Sequence, residues 1–453
     1  MHVDVLVAEI GSTTTVLNAF DGLGGELVRF VAQGQAATTV LDGDVRVGLD
    51  RALDDMISKL NTSTLTYDTM LATGSAAGGL KMSVHGLVND MTVRAAKAAA
   101  LGAGAIVVNS TSGLMNEYDL LEIDRLKPNL LMLAGGTDYG ERNTVISNLK
   151  AIIAHGIKIP IIYCGNVQNQ AEVKELCDRS DYPLSITENV YPKLDMLNIE
   201  PVRKCIHEAF EKHIVTAPGM EHVKEMVDGR ILPTPGSVML ACELLKSAIG
   251  DLCVVDIGGA TTDVHSVTEG SPEMASLMTS PEPTAKRTVE GDLGLYINAK
   301  NLVNMIGADK LARELNLDID AVMCAYEPVP ATKEQFLLTE RICLEAGITA
   351  VRRHAGQLRH LYTPTGRQTI AEGKDLSMVQ YLVGTGGALT RLPNRRSILR
   401  KIADCNENRM MLFPKAGSLK LLFDNDYIMA SVGVLSTLDR SAALQLMKRS
   451  LQL

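Results

Sequence analysis

The stretch VVDIGGATTDVHSV, residues 254–267, decides how the chain is read. An apolar, β-branched run ends in Asp256, passes through Gly258 and Gly259, and resumes as a second apolar run carrying Thr261, Thr262 and Asp263. Glycine weakens a strand, and a carboxylate at a strand end needs a partner. The pattern therefore marks a tight turn between two strands, with bare backbone, N–H groups and hydroxyls on offer. Such a turn can cradle phosphate, and its carboxylates suit a hydrated divalent cation. A plain hairpin turn uses the same residue types. A second copy weighs against that plain reading: EIGSTTT, residues 9–15, also stands where a first strand ends and a second begins.

Outward from these turns, the chain runs through the same order of events twice. VDVLVAEI (3–10), TTVLNAF (14–20) and GELVRFVAQGQA (25–36) read as three consecutive strands. A helix follows, because Val45, Leu49, Leu53, Met56 and Leu60 recur at three- and four-residue steps. Strands at TMLATGS, AIVVNS, NLLMLAGG, IPIIYCG and PLSIT then alternate with helices at DMTVRAAKAAALG, RNTVISNLKAIIAHG and QAEVKELCDR. Alternation of this kind predicts right-handed crossovers and a largely parallel sheet. After the helix VMLACELLKSAIG the cycle restarts with strands at DLCVVDIGG, TTDVHSVTEG and EMASLMTS (273–280), helical segments at 292–305, 333–360 and 395–404, and a strand at MVQYLVGTGG. The expected class is α/β in two lobes, 1–240 and 241–453, each a mixed, mostly parallel sheet flanked by helices.

Composition narrows the function. With 453 residues, 46% hydrophobic and 21% charged, the chain has the profile of an ordinary globular protein. A net charge of -9 and the lack of any Lys/Arg run argue against a nucleic-acid partner. An acidic chain holds a polyphosphate through local N–H groups and a divalent cation instead. Eight scattered cysteines without a C-x-x-C spacing argue against a thiolate metal site and for reduced thiols in the cytoplasm. A charged leader with a long apolar run is missing, as is any stretch of eighteen apolar residues, so neither secretion nor a membrane span is expected. The P-loop and H-E-x-x-H patterns do not occur.

Three further stretches stand out. YLVGTGGALTRLP (381–393) ends a strand in Gly384, Gly386 and Gly387, which suits a base and ribose lying on bare backbone, with Arg391 placed to stack on a purine. LAGGTDYGERN (133–143) is either a contact for a substrate or partner, or a loop into a capped helix. TAVRRHAGQLRHL puts Arg352, Arg353, His354, Arg359 and His360 on an expected helix, as a solvated face.

Together, D-x-G-G-x-T-x-D at Asp256, Gly258, Gly259, Thr261 and Asp263, EIGSTTT before it and VGTGGALTR after it resemble the phosphate-one, phosphate-two and adenosine motifs of the actin, heat-shock chaperone and sugar kinase superfamily. Within it, LATGSAAGGLKMSVHGLV, LLMLAGGTDYGERN, GRILPTPGSVMLA and KRTVEGDLGLYINA resemble the glutamate mutase accessory protein L family, over nearly the whole chain. The resemblance implies a two-lobed actin-like ATPase fold with ATP or ADP and Mg²⁺ in a cleft between the lobes. By position, Gly11, Ser12, Thr13 and Thr14, with Gly258, Gly259, Ala260 and Thr261, would hold phosphates. Gly384, Gly386, Gly387 and Arg391 would hold the adenosine, and Asp256 and Glu9 the metal. Asp256, Glu9 and Asp263 are the catalytic candidates, Asp263 orienting water or metal. The implied function is that of a chaperone-like ATPase serving an adenosylcobalamin-dependent mutase such as glutamate mutase, as a homo-oligomer or with a small companion subunit.

Two alternatives stay open. One is a kinase for a small sugar or acid, although no Asp of the first lobe declares itself as the base such a reaction needs. The other is an inactive nucleotide-binding scaffold. Glu9 motivates it, because the superfamily has Asp there and one more methylene moves the carboxylate by roughly 1.5 Å.

Overall fold

The computed structural model describes residues 1–453 apart from 12, 26, 76–79, 215–218, 221, 229–230, 279–281, 364–365 and 407–409. The chain opens with strands β1 (His2–Ile10), β2 (Thr14–Asp21) and β3 (Arg29–Ala37). It crosses through the helix Val45–Lys59 and returns as β4 (Thr66–Gly74), parallel to β1. That helix forms as its pattern predicts. The Asp44 side chain accepts from the Arg46 N–H at its start, and Val45, Leu49, Ala52 and Met56 are buried along one face.

A separate sheet follows, built from β5 (Lys81–Gly86), β6 (Ile106–Ser112), β7 (Leu130–Leu133), β8 (Ile161–Tyr163) and β9 (Leu184–Ile186). Its order is β6-β5-β7-β8-β9 and every pairing is parallel. Helices Arg94–Gly102, Glu117–Leu126, Asn143–His155 and Gln170–Ser180 supply the connections, as the alternation requires. β5 was not legible beforehand. In KMSVHG only Met82 and Val84 are apolar, too short an alternation to stand out, yet all of it except Lys81 is buried because the strand lies inside the sheet. β10 (Ile231–Pro233) then pairs in parallel with β4, completing the first sheet in the order β10-β4-β1-β2-β3.

The second cycle builds β11 (Leu252–Ile257), β12 (Thr262–Val267), β13 (Ala285–Glu290), the paired β14 (Gln357–Thr363) and β15 (Gly366–Glu372), β16 (Tyr381–Thr385) and β17 (Lys420–Phe423). The sheet order is β13-β12-β11-β16-β17, antiparallel among the first three strands and parallel from β11 outward. Counted within each cycle, both sheets run third strand, second, first, and then two strands parallel to the first. The fold is α/β, with mixed and parallel sheets flanked by helices. Contacts divide the chain into two compact units, one of Met1–Leu17, Gln33–Ser237 and Ser280–Pro283, the other of Asn18–Ala32, Val238–Thr279 and Thr284–Leu453. In the second unit, Val255, Ile257 and Val264 pack in one core with Leu338, Ile342 and Ala346 of the helix Lys333–His354. Among the described residues, no helix is long and apolar enough to cross a membrane.

Two expected elements are corrected. The third strand of the second cycle is β13; of the expected strand 273–280, residues 279–280 lie outside the described residues and the rest opens as the short helix Pro272–Ala275, with the Ser271 side chain accepting from the Met274 N–H. The helix expected over 333–360 stops at His354, since Ala355 is extended and the chain returns as β14. His354 therefore does not belong to a solvated face. It is buried, with Nε2 2.8 Å from Ser266 Oγ and Nδ1 3.0 Å from Thr288 Oγ1.

Burial makes three histidines acid-sensitive. It pushes His85 down to about 3 and holds His265 and His354 well below the ordinary imidazole range. The unfolded chain binds protons at these sites near pH 6.5 while the folded chain refuses them. Their contribution is therefore complete above that pH and is lost as pH falls, by about 1.4 kcal/mol per pH unit for each histidine. Urea unfolding at pH 7 and pH 5.5 should show a lower midpoint at pH 5.5; equal midpoints would contradict buried neutral rings.

Candidate strand-end phosphate turns

The two turns singled out in the sequence adopt one hydrogen-bonding pattern. Gly11 donates its N–H to the Thr14 carbonyl at 2.9 Å, and Gly258 donates to the Thr261 carbonyl at 3.0 Å. A Cβ on Gly11 would stand 2.7 Å from Thr14 O, so the first turn closes only around glycine. Gly11, Thr13 and Thr14 are half-exposed, as are Gly258, Gly259, Ala260 and Thr261. Ser12 lies outside the described residues. A carboxylate precedes each turn by two residues: Glu9, buried at the end of β1 opposite Thr73 of β4, and Asp256, half-buried at the end of β11.

The second turn is held from behind. Leu295 donates its N–H to Gly258 O at 3.1 Å, Tyr296 and Ile297 donate to Gly259 O at 2.8 and 2.9 Å, and Asn298 Nδ2 donates to Ala260 O at 3.2 Å. A Cβ at Gly294 would collide with Ala260. The stretch GDLGLYIN after β13 is thus an irregular brace, and the following helix begins only at Ala299. Its close glycine contact was the one sequence signal for this role.

Asp256 has Asp263 opposite it on β12 and Thr385 opposite it on β16, so the three side chains share one face of the sheet. Asp263 is buried and committed. Its Oδ1 accepts from Arg287 Nη2 at 2.6 Å and Nε at 3.0 Å, and its Oδ2 accepts from Thr261 Oγ1 at 2.9 Å. Arg287, on β13, was not singled out beforehand. Nothing in the letters between positions 263 and 287 announces the pairing, which the antiparallel register alone creates.

The glycines that end β16 also converge here. Gly386 has φ +81°, and a Cβ on it would lie 2.5 Å from Asp256 Oδ1 and from Ile257 O. Only glycine lets this strand end pass so close to Asp256. Gly384 faces Leu389 and Leu399, whereas the position of a Cβ on Gly387 is open. Thr385 Oγ1 donates at 3.0 Å to Asp424, a fully buried carboxylate that also accepts from Ser450 Oγ and the N–H groups of Ile428 and Met429. Burial raises the Asp424 carboxyl above its ordinary range despite these donors. Arg391 is at the far end of the short helix Gly386–Arg391, with its guanidinium 5.8 Å from the Tyr427 ring centroid. The second unit thus gathers Asp256, Asp263, Thr385, Gly386 and the 258–261 turn, while Arg391 pairs with a protein aromatic.

A family model described as MutL protein matches residues 5–451. Protein MutL of Clostridium tetanomorphum is 37% identical over 462 residues, covering 98% of each chain. Among solved structures, nucleotide-free acetone carboxylase is similar at 12% identity over 96% of this chain and 70% of that one, with a TM-score of 0.39. A glycerol dehydratase reactivase is similar at 10% identity over 95% and 99%, with a TM-score of 0.35. Both structural likenesses are distant. From the near-complete family match and the end-to-end relative, this chain belongs to the MutL protein family, the glutamate mutase accessory family that its motifs resemble.

Proposed function

We propose that the protein is a nucleotide-driven accessory factor for an adenosylcobalamin-dependent mutase, binding ATP or ADP with Mg²⁺ at its strand-end turns and hydrolysing ATP. The observation that carries this reading is the repeated device: two sheets of the same strand order, each with a Gly-to-Thr closed turn after the first strand and a carboxylate two residues before it. A plain hairpin would not need to be repeated at equivalent places with an acid beside each copy. Family membership supports the accessory role, and the repeated sheets support an actin-like ATPase fold with lobes 1–240 and 241–453.

The residues fit the group they would hold. Asp256 and Glu9 offer hard carboxylate oxygens, which suit Mg²⁺, and Gly386 brings bare backbone and no side chain of its own beside Asp256 Oδ1. Mg²⁺, when bound, neutralises charge on the phosphates. With the Gly11 and Gly258 N–H groups closing the turns, the N–H groups and hydroxyls of Ser12, Thr13 and Thr14 and the N–H groups of Gly259, Ala260 and Thr261 would bind phosphate oxygens. Asp263 fixes the Thr261 hydroxyl by accepting its hydrogen, with Arg287 holding the carboxylate in place. Gly384, Gly386, Gly387 and Arg391 are assigned to the adenosine. For the nucleotide to act on the partner, the ATP-bound and ADP-bound protein must bind the mutase with unequal affinity. The site of action proposed is the cytoplasm.

The test is phosphate release from Mg²⁺-ATP by the purified protein alone, followed by addition of a mutase inactivated through a damaged cobalamin. Release without an acceptor, together with recovery of mutase activity, is expected. ADP formed only with a small metabolite, with the phosphoryl group on that metabolite and no free phosphate, would make the protein a kinase, and binding of ADP without any turnover of ATP would make it a scaffold.

A further inference from the structure

Arg352 and Arg353 end the helix Lys333–His354, and the break at Ala355 and Gly356 turns the chain back so that Arg359 arrives on β14. Gly356 is wedged in this bend: it donates its N–H to Lys374 O at 2.8 Å, and a Cβ on it would stand 2.6 Å from Glu372 O. The reversed chain over 352–374 thereby lines one open pocket of about 270 Å³, in which Arg352, Arg353, Arg359 and Lys374 share a single lining carboxylate, Glu372. This cationic concentration sits on a chain of net charge -9. The helix C-terminal dipole favours the cations at 352 and 353. It does not account for Arg359 and Lys374, which belong to the β14–β15 hairpin and the turn after it.

The cations differ in their commitments. Arg353 binds Glu290 at 2.6 Å and Asp292 at 2.8 and 3.1 Å, and Arg359 binds Glu372 at 2.9 Å. Arg352 is exposed and has no hydrogen-bond or ion-pair partner among the described residues. We propose that this pocket is an anion site, distinct from the phosphate turns, for a small ligand carrying two or more negatively charged oxygen groups. Its volume lies just below the roughly 300–1,000 Å³ of drug-sized clefts, which suits a small ion. Guanidinium forks match phosphate and carboxylate groups alike. Arg352 supplies the first contact, while Arg353 and Arg359 already hold carboxylates of the chain in the manner the ligand would use.

Calorimetric titration of the full chain at low ionic strength, with pyrophosphate and separately with citrate, tests the site. One-to-one binding of at least one of them is expected, weakened by added salt and unchanged by saturating ADP. Pyrophosphate alone would identify a phosphorylated ligand, and citrate alone a polycarboxylate. The double variant Arg352→Glu/Lys374→Glu should lose roughly tenfold or more in affinity. Arg352→Gln, at an exposed position that does not threaten the fold, should lose several-fold. No heat from either anion, equal affinity in the variants, or displacement by ADP would overturn the assignment.

Discussion

Asp256→Asn is expected to lower ATP turnover by about 100-fold or more while the thermal midpoint moves by only a few degrees. Asparagine preserves the shape of the side chain beside Gly386, where a single Cβ would already lie 2.5 Å from Oδ1. What it removes is the negative charge, and with it the hard anionic oxygen that a divalent cation requires. Asp256 stands at a strand end and half-buried, so its charge is not a pillar of the core in the way that Asp263 is. Phosphate release and melting measured on the same preparation check both halves of the expectation. Wild-type turnover by the variant would remove Asp256 from the site.

Arg287→Met is expected to destabilise the protein by about 3–5 kcal/mol, because it strands Asp263 as a buried charge without its cation. The side chains of this pair are only 1% and 6% exposed, so water cannot take over the role of the guanidinium. Arg287→Met/Asp263→Leu should recover most of that loss, since a buried ion pair replaced by well-packed apolar groups is often near neutral. The double variant would still lack the acceptor for the Thr261 hydroxyl, so its nucleotide-dependent activity should stay low although its fold is restored. The chain has no Trp, so urea unfolding is best followed by far-UV circular dichroism. A single variant as stable as the wild type would show that Asp263 finds another partner.

Short-range signals carried most of the fold. Glycine at a strand end, β-branched runs and helical spacing are properties of adjacent residues, and they located both turns, the crossovers and the repeat of three strands followed by alternation. They failed where a nearby residue pair overruled a run, as Ser271–Pro272 did for 273–278, or where position in a sheet and not residue type makes a strand, as for KMSVHG in β5. They also overran the end of the helix at His354, because the extended backbone at Ala355 and the contact of Gly356 with the strand ending at Glu372 are tertiary facts.

The candidate site divides along the same line. The letters alone named Glu9, Gly11, Asp256, Gly258, Gly259 and Gly386 as residues out of place in ordinary strands, since their oddity is local. Only the folded chain shows that Gly386 abuts Asp256, that Arg287 satisfies Asp263, that residues 294–298 brace the second turn and that four cations meet in one pocket. Sequence determines which residues cannot be at ease in regular structure; register and chain reversal, which act over tens to more than a hundred residues, decide what those residues touch.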